Sequence, residues 1–260
     1  LLPEAMAGSQ LYGVELDSIT GRIASLLYPE ARIAVRGFEK VHFPNSFFDV
    51  AVGNVPFGQY PVNDPAYNKL GFHIHNYFFA KALDQVRPGG IVAFLTSRYT
   101  LDAKDEKVRR YLAQRAELLG AVRLPNNAFK ANAGTEVVSD IIFLQKRDRP
   151  ADIEPAWVQL GKTEDDFAIN QYFVDHPEMV LGELTAESTQ YGREELTVAP
   201  IEGAVLSDQL AEAVQHIEGQ YTAAEVDAPD IAEEETTRLT LPADPEVKNF
   251  SYTVVDGEVF

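Results

Sequence analysis

Between residues 11 and 145, short β-rich runs alternate with stretches of helical spacing, and this alternation limits the possible folds more than any other feature. LYGVE at 11–15 reads as a strand, 18–27 as a helix, and 33–36 and 48–52 as two further strands. Residues 74–86 place Tyr77, Phe78, Ala82 and Leu83 along one helical stripe. Arg87-Pro88-Gly89-Gly90 is expected to end that helix, because proline lacks the amide hydrogen a helix interior needs and glycine is entropically costly there. IVAFL at 91–95 is the next strand, 105–116 a charged helix expected on the surface, and 118–124 and 137–145 the last two strands. Strands alternating with helices predict a mostly parallel sheet covered on both faces. The last two strands have no helix between them and are expected to pair antiparallel at the sheet's edge.

Charge divides the chain. The net charge is −18, yet residues 1–150 carry 18 Lys and Arg against 15 Asp and Glu, while 151–260 carry 4 against 25. Basic side chains supply most non-specific affinity for nucleic acid, so the second part is a poor phosphate binder and the first is not excluded. The expected organisation is one α/β domain over 1–150, an acidic extension over 151–221, and an acidic linker and tail over 222–260. Residues 222–247, rich in Ala, Glu, Asp and Pro, read as solvated and disordered. No run of eighteen apolar residues exists to span a membrane. The absence of cysteine excludes a disulfide framework and agrees with a cytoplasmic setting. A chain that opens Leu1-Leu2-Pro3 is expected to be part of a longer one.

The carboxyl ends of strands are where open α/β sheets bind ligands, and the strand at 48–52 runs straight into Gly53-Asn54-Val55-Pro56-Phe57. The Asn54 amide offers one acceptor oxygen and two donor hydrogens. Pro56 biases Val55 towards extended backbone and so aims the Val55 carbonyl, while Phe57 adds a flat apolar face. Two acceptors beside a flat face suit an amino group on a planar heterocycle, and a base in a duplex must first leave the stack to reach them. The same residues also fit a polar turn with an exposed phenylalanine. His73 and His75 are two residues apart, which puts their rings on different faces of a helix, so no metal is expected.

GNVPFG resembles the Asn-Pro-Pro-Tyr/Phe signature of amino-group methyltransferases, in particular those acting on adenine in DNA. Val55 replaces the first proline, whose role in the family is to present a main-chain carbonyl. LYGVELD resembles the strand-end motif whose acid holds the ribose of S-adenosylmethionine, a role that falls on Glu15, with Asp17 better suited to capping a helix. RGFEK stands where the family has Asp-Phe. Gly37 occupies the acid's position, which leaves Glu39 to meet the cofactor's adenine. LPNNAFKANAGTEVV is similar to the late segment in which an aromatic residue meets the target base, here Phe129. An apolar loop anchor is the alternative for that ring.

The resemblance implies a Rossmann-like S-adenosylmethionine-dependent methyltransferase fold, truncated at its first strand and glycine loop and carrying the acidic extension. No Gly-x-Gly occurs anywhere in the chain, so these 260 residues alone are not expected to hold the cofactor. It implies DNA as partner, a place in restriction-modification, and a helicase region in the same parent chain, as in the large methylase–helicase proteins of mobile elements. Methylation of a protein glutamine or of RNA stays open, as does a noncatalytic scaffold that kept the fold.

Overall fold

Asp17 accepts a hydrogen bond from the Thr20 amide (2.7 Å) and so starts the first helix where a short polar side chain can satisfy an orphan N–H. The computed structural model describes residues 4–188, 194–220, 254–255 and 258–259; the segment 222–247 read as disordered lies outside them. In chain order the elements are β1 (Tyr12–Glu15), α1 (Ser18–Leu27), β2 (Arg32–Val35), β3 (Phe48–Asn54), α2 (Ile74–Gln85), β4 (Val86–Ser97), α3 (Tyr99–Asp102), α4 (Lys107–Arg115), β5 (Ala116–Leu124), α5 (Lys130–Ala133) and β6 (Ser139–Lys146). Then come β7 (Leu160–Lys162), β8 (Ala168–Asn170), α6 (Gln171–Asp175), β9 (Glu183–Ser188), β10 (Glu194–Ala199) and α7 (Leu206–Ala213). The chain divides into two compact units, 1–222 and 223–260; in the second, Val254–Val255 pairs antiparallel with Glu258–Val259.

The central sheet has the order β3-β4-β6-β5. β3 is parallel to β4, and β6 is antiparallel to both of its neighbours, so β3, β4 and β5 run one way and β6 runs back between two of them. The β5–β6 pair is antiparallel and lies at the sheet's edge, as expected, with β5 outermost and Ser139 to Gln145 of β6 paired on both sides. α2 buries Phe79, Ala82 and Leu83 in one apolar core with Val92, Phe94 and Leu144 of this sheet. Beside it, β1 and β2 form a separate parallel pair. The Tyr12 ring meets Phe43, Phe47 and Phe48 edge-on, with centroids 5.3–5.8 Å away, which sets the start of β1 next to the start of β3.

Among the described residues β1 bonds only β2, and β3 bonds only β4. Each therefore keeps one open edge, and Val52 of β3 is 72% exposed although it sits in a strand of a central sheet. The architecture is the expected Rossmann-like α/β fold.

The Pro-Gly-Gly run does not separate helix from strand. α2 passes directly into β4, and residues 87–90 form an irregularity inside that strand, where the β3–β4 register shifts between Phe48 and Val50. A Cβ on Gly90 would lie 2.8 Å from the Arg87 carbonyl oxygen and 2.9 Å from that of Asp49, so backbone must yield on two sides. Gly90→Ala is expected to destabilise the chain by about 1–3 kcal/mol, as overpacking does. In a thermal melt this reads as roughly 2–4 °C of Tm per kcal/mol for a chain of this size. Gly8→Ala, where nothing lies within 4 Å, is the neutral control.

The charged helix expected on the surface is α4, and only part of it is exposed. Arg109, Leu112 and Ala113 are buried. Arg109 stays inside because its Nε donates to the Val158 carbonyl (2.6 Å) and its Nη1 to the Ala103 carbonyl (2.6 Å). Val158, with Trp157, Ile169, Phe173 and Met179, belongs to the same apolar core as Leu101, Leu112 and Val122, so residues from 157 onward pack on the sheet itself.

Candidate active site

β3 ends at Asn54, and the next residue turns inward: Val55 is 3% exposed and its amide donates to the Leu95 carbonyl of β4 (3.0 Å). That bond pins the turn to the sheet while Pro56 and Phe57 stay outside, the ring 37% exposed. Among the described residues no donor or acceptor engages the Asn54 amide, and none takes the Val55 carbonyl. The turn thus offers the Asn54 amide and the Phe57 ring to solvent and leaves the Val55 carbonyl unbonded between them. Behind it, His75 of α2 is buried with Nδ1 unpaired, and Asn76 is buried with Oδ1 unpaired. Burial first, and the neighbouring His73 second, push the His75 imidazole down to about 4, against a smaller upward pull from the Gly58 backbone. It is therefore neutral at physiological pH. The rings of His73 and His75 lie 6.0 Å apart, and among the described residues no cluster of His, Asp and Glu could hold a metal.

β1 and β3 start side by side, and Glu15 and Asn54 stand at the carboxyl ends of these two strands. Glu15 closes β1, and its Oε1 accepts from the Asp17 amide (2.8 Å). The capping role falls to Asp17, whose carboxyl is held below its usual range by the Thr20 hydrogen bonds. Glu39 lies in a one-turn helix, Phe38–Lys40, directly after β2. A Cβ built on Gly37 would sit 2.3 Å from both Glu39 carboxylate oxygens. The Glu39 carboxylate therefore fills the volume in which a side chain at position 37 would begin. An acid is thus present at that place, supplied from two residues downstream.

Phe129 sits in the loop after β5, which points the same way as β3 and β4, so the loop lies on the margin that carries Asn54. The ring is half-buried and packs on the core. Sequence reasoning missed what stands opposite. The β9–β10 hairpin is held over the strand ends by Arg98, whose Nη1 donates to the Leu196 carbonyl (2.6 Å), and by Asn126, whose amide donates to the Val198 carbonyl (2.8 Å). Between hairpin and sheet lies a cavity of about 240 Å³ lined by Ser97, Arg98, Tyr99, Asn126, Glu187 and Thr197 among others. A larger one, about 410 Å³, is formed within the loop between β3 and α2 beside Tyr67, Phe72 and Tyr77. An arginine directly after a buried strand was the available signal for the hairpin, but nothing in the sequence named its partner.

Comparison with known proteins gives one relative of known name and several solved folds. The chain is 35% identical over 146 residues to "Defense against restriction protein B" of Escherichia phage P1; the match takes in 54% of this chain and 6% of that protein. The chain thus spans a small part of its relative's length. No family model matches it. Among solved structures it is similar to the methyltransferase subunit of a type I restriction-modification system from Streptococcus thermophilus. The identity is 18%, the coverage 62% of this chain and 39% of that one, and the TM-score 0.44. It is similar also to an S-adenosylmethionine-dependent methyltransferase from Methanosarcina mazei, with 15% identity, 55% and 84% coverage and a TM-score of 0.39. Among the described residues no helix is long and apolar enough to cross a membrane.

Proposed function

We propose that this chain is the target-amine half of an S-adenosylmethionine-dependent methyltransferase acting on the exocyclic amine of adenine in DNA, within a longer cytoplasmic protein. The observation that carries the reading is the exposed, unbonded Asn54 amide at the end of β3, with the unbonded Val55 carbonyl and the exposed Phe57 ring beside it. Asn54 and Val55 each accept one N–H of the target amine, which leaves the nitrogen lone pair out of the ring plane and available to an electrophile. Phe57 stacks on the heterocycle. Phe129, from the opposite side of the same margin, closes on the base once it has left the duplex. Glu15 accepts from the cofactor's ribose hydroxyls, and Glu39 from the amino group of its adenine. The bound cofactor supplies the electrophilic methyl group. No strong base is needed, because the amine loses its proton after it has formed its new bond.

The name of the phage relative, with its reference to restriction, agrees with DNA as the target and with a restriction-modification setting. The parent chain is read as carrying a helicase region beside this one. A second reading, methylation of a protein glutamine, rests on the hairpin: Glu187 and Glu195 line the cavity next to the site, and carboxylates disfavour a phosphate backbone more than a peptide.

The test uses the full-length parent protein with labelled S-adenosylmethionine and unmethylated DNA, the product nucleosides being identified by mass spectrometry. Label on the adenine amine is the expected result. Label on protein or RNA instead would transfer the assignment to that substrate, and no label on any of them from a protein shown to bind the cofactor would leave the scaffold.

A further inference from the structure

Lys81 is the buried cation of α2. It is 4% exposed, and its Nζ donates to the Phe38 carbonyl (2.7 Å) and to Asp64 Oδ2 (3.0 Å) while lying 4.8 Å from the Phe38 ring centroid and 5.8 Å from that of Tyr77. Tyr77 donates its hydroxyl to the same Asp64 oxygen (2.8 Å). Burial alone would raise the Asp64 carboxyl, but the Tyr77 and Lys81 hydrogen bonds and the Lys81 charge together hold it below its usual range. Asp64, Lys81 and Tyr77 therefore form a closed group, and the ammonium directs a second of its three donor hydrogens at the main chain of the turn after β2.

That turn is the one that presents Glu39. The Phe38 carbonyl also accepts from the Val41 amide (3.2 Å), and the Lys40 amide donates to the Gly37 carbonyl (2.9 Å), so these bonds define the single helical turn over Phe38–Lys40. A single turn of helix is a weak element by itself, because nucleation fixes several dihedrals for one or two hydrogen bonds. Here a charged donor from another element holds it, and charge-assisted bonds are the stronger kind. Glu39 lies within that turn, one residue from the carbonyl that Lys81 holds.

From this geometry we infer that Lys81 is a positioning residue for the cofactor's adenine: by holding the Phe38 carbonyl it fixes the turn that keeps the Glu39 carboxylate over Gly37. The inference rests on the reading of Glu39 given above. A carboxylate accepts from the 6-amino group of adenine and is repelled by the 6-oxo group of hypoxanthine, so correct placement shows itself as a preference between the two bases.

The experiment compares the full-length parent chain with its Lys81→Met/Asp64→Asn variant, which removes the ammonium without leaving a bare buried carboxylate. Affinities for S-adenosylhomocysteine and for its inosine analogue are measured on both proteins, with hydrogen exchange at the Lys40 and Val41 amides. The expected result is at least about a tenfold preference for the adenosine form in the parent chain, lost in the variant, together with faster exchange of those two amides. A purely structural Lys81 would weaken both ligands equally and leave the ratio unchanged, which overturns the inference. Should the parent chain show no preference, or bind neither ligand, the Glu39 reading is what fails. The exchange rates then decide the question for Lys81: acceleration confined to residues 38–41 upholds its grip on the turn, and unchanged rates remove it.

Discussion

Arg123→Leu is expected to cost about 3–5 kcal/mol of folding free energy, the loss seen when one partner of a buried ion pair is removed. The guanidinium is 1% exposed. Its Nε and Nη2 donate to the two oxygens of Asp140 (2.8 and 2.9 Å), its Nη1 donates to Asp102 Oδ2 (2.7 Å), and its plane lies over the Phe173 ring at 4.2 Å. Burial works against its charge, but Asp102 and Asp140 outweigh burial and hold its proton more firmly than in water. The same residue's carbonyl accepts from the Leu181 amide (2.9 Å), and the other Asp102 oxygen accepts from the Asn170 amide (2.9 Å). One arginine thus joins β5, β6, α3 and the segment carrying Phe173. Leucine would leave two carboxylates facing each other in the core with no cation between them. Since domains of this kind are held by about 5–15 kcal/mol in all, the urea midpoint should fall by about a fifth or more. Arg123→Met combined with Asp140→Leu should recover part of the loss, because it removes one of the two bare charges and leaves only that of Asp102. Full stability in the single variant would show that water reaches Asp102 and Asp140.

What the sequence disclosed and what it hid follow from how far apart the cooperating residues lie. Helix α1 was legible to its end residues, Ser18 and Leu27, because its cap, Asp17, and its spacing are both local. β1, β2 and β3 fell within two residues of their expected bounds for the same reason. The place of β6 between β4 and β5 was not legible, since strand order depends on pairings tens of residues apart. Arg109 looked like a solvated helix residue until Val158, 49 positions on, supplied its acceptor. The Pro-Gly-Gly run carries a strong local signal for a break, yet the β3–β4 ladder absorbs it as a bulge. At the site, Asn54, Val55, Pro56 and Phe57 could be read because one short turn contains them all. Glu39 could be named as a replacement for an acid at 37, but only the built backbone brings its carboxylate to that point. Lys81 gave no sign: within the apolar pattern of α2 it reads as an ordinary polar position, and Asp64 is 17 residues away.

Asn54→Ala is expected to lower methyl transfer by about 10²–10³-fold, the range for removing one preorganised polar group that acts on charge developing in the transition state. The amide is exposed and makes no hydrogen bond among the described residues, so the substitution should move stability by no more than about 0.5 kcal/mol. A large kinetic loss without a change in melting separates a group that touches the substrate from one that holds the fold. The effect should fall on kcat and kcat/KM alike, since an interaction completed only as the nitrogen becomes tetrahedral adds little to ground-state binding. Phe57→Ala should differ in kind. Stacking holds the heterocycle before reaction, so its loss should appear mainly in KM, while Phe57→Tyr, which keeps the ring, restores it. Asn54→Asp is the sharper probe, because it retains an acceptor oxygen and discards the donors. If acceptance from the amine is the working interaction, the aspartate variant keeps more activity than alanine. If the Asn54 amide instead donates to a ring nitrogen of the base, aspartate is the worse of the two, since a carboxylate facing that lone pair is repelled.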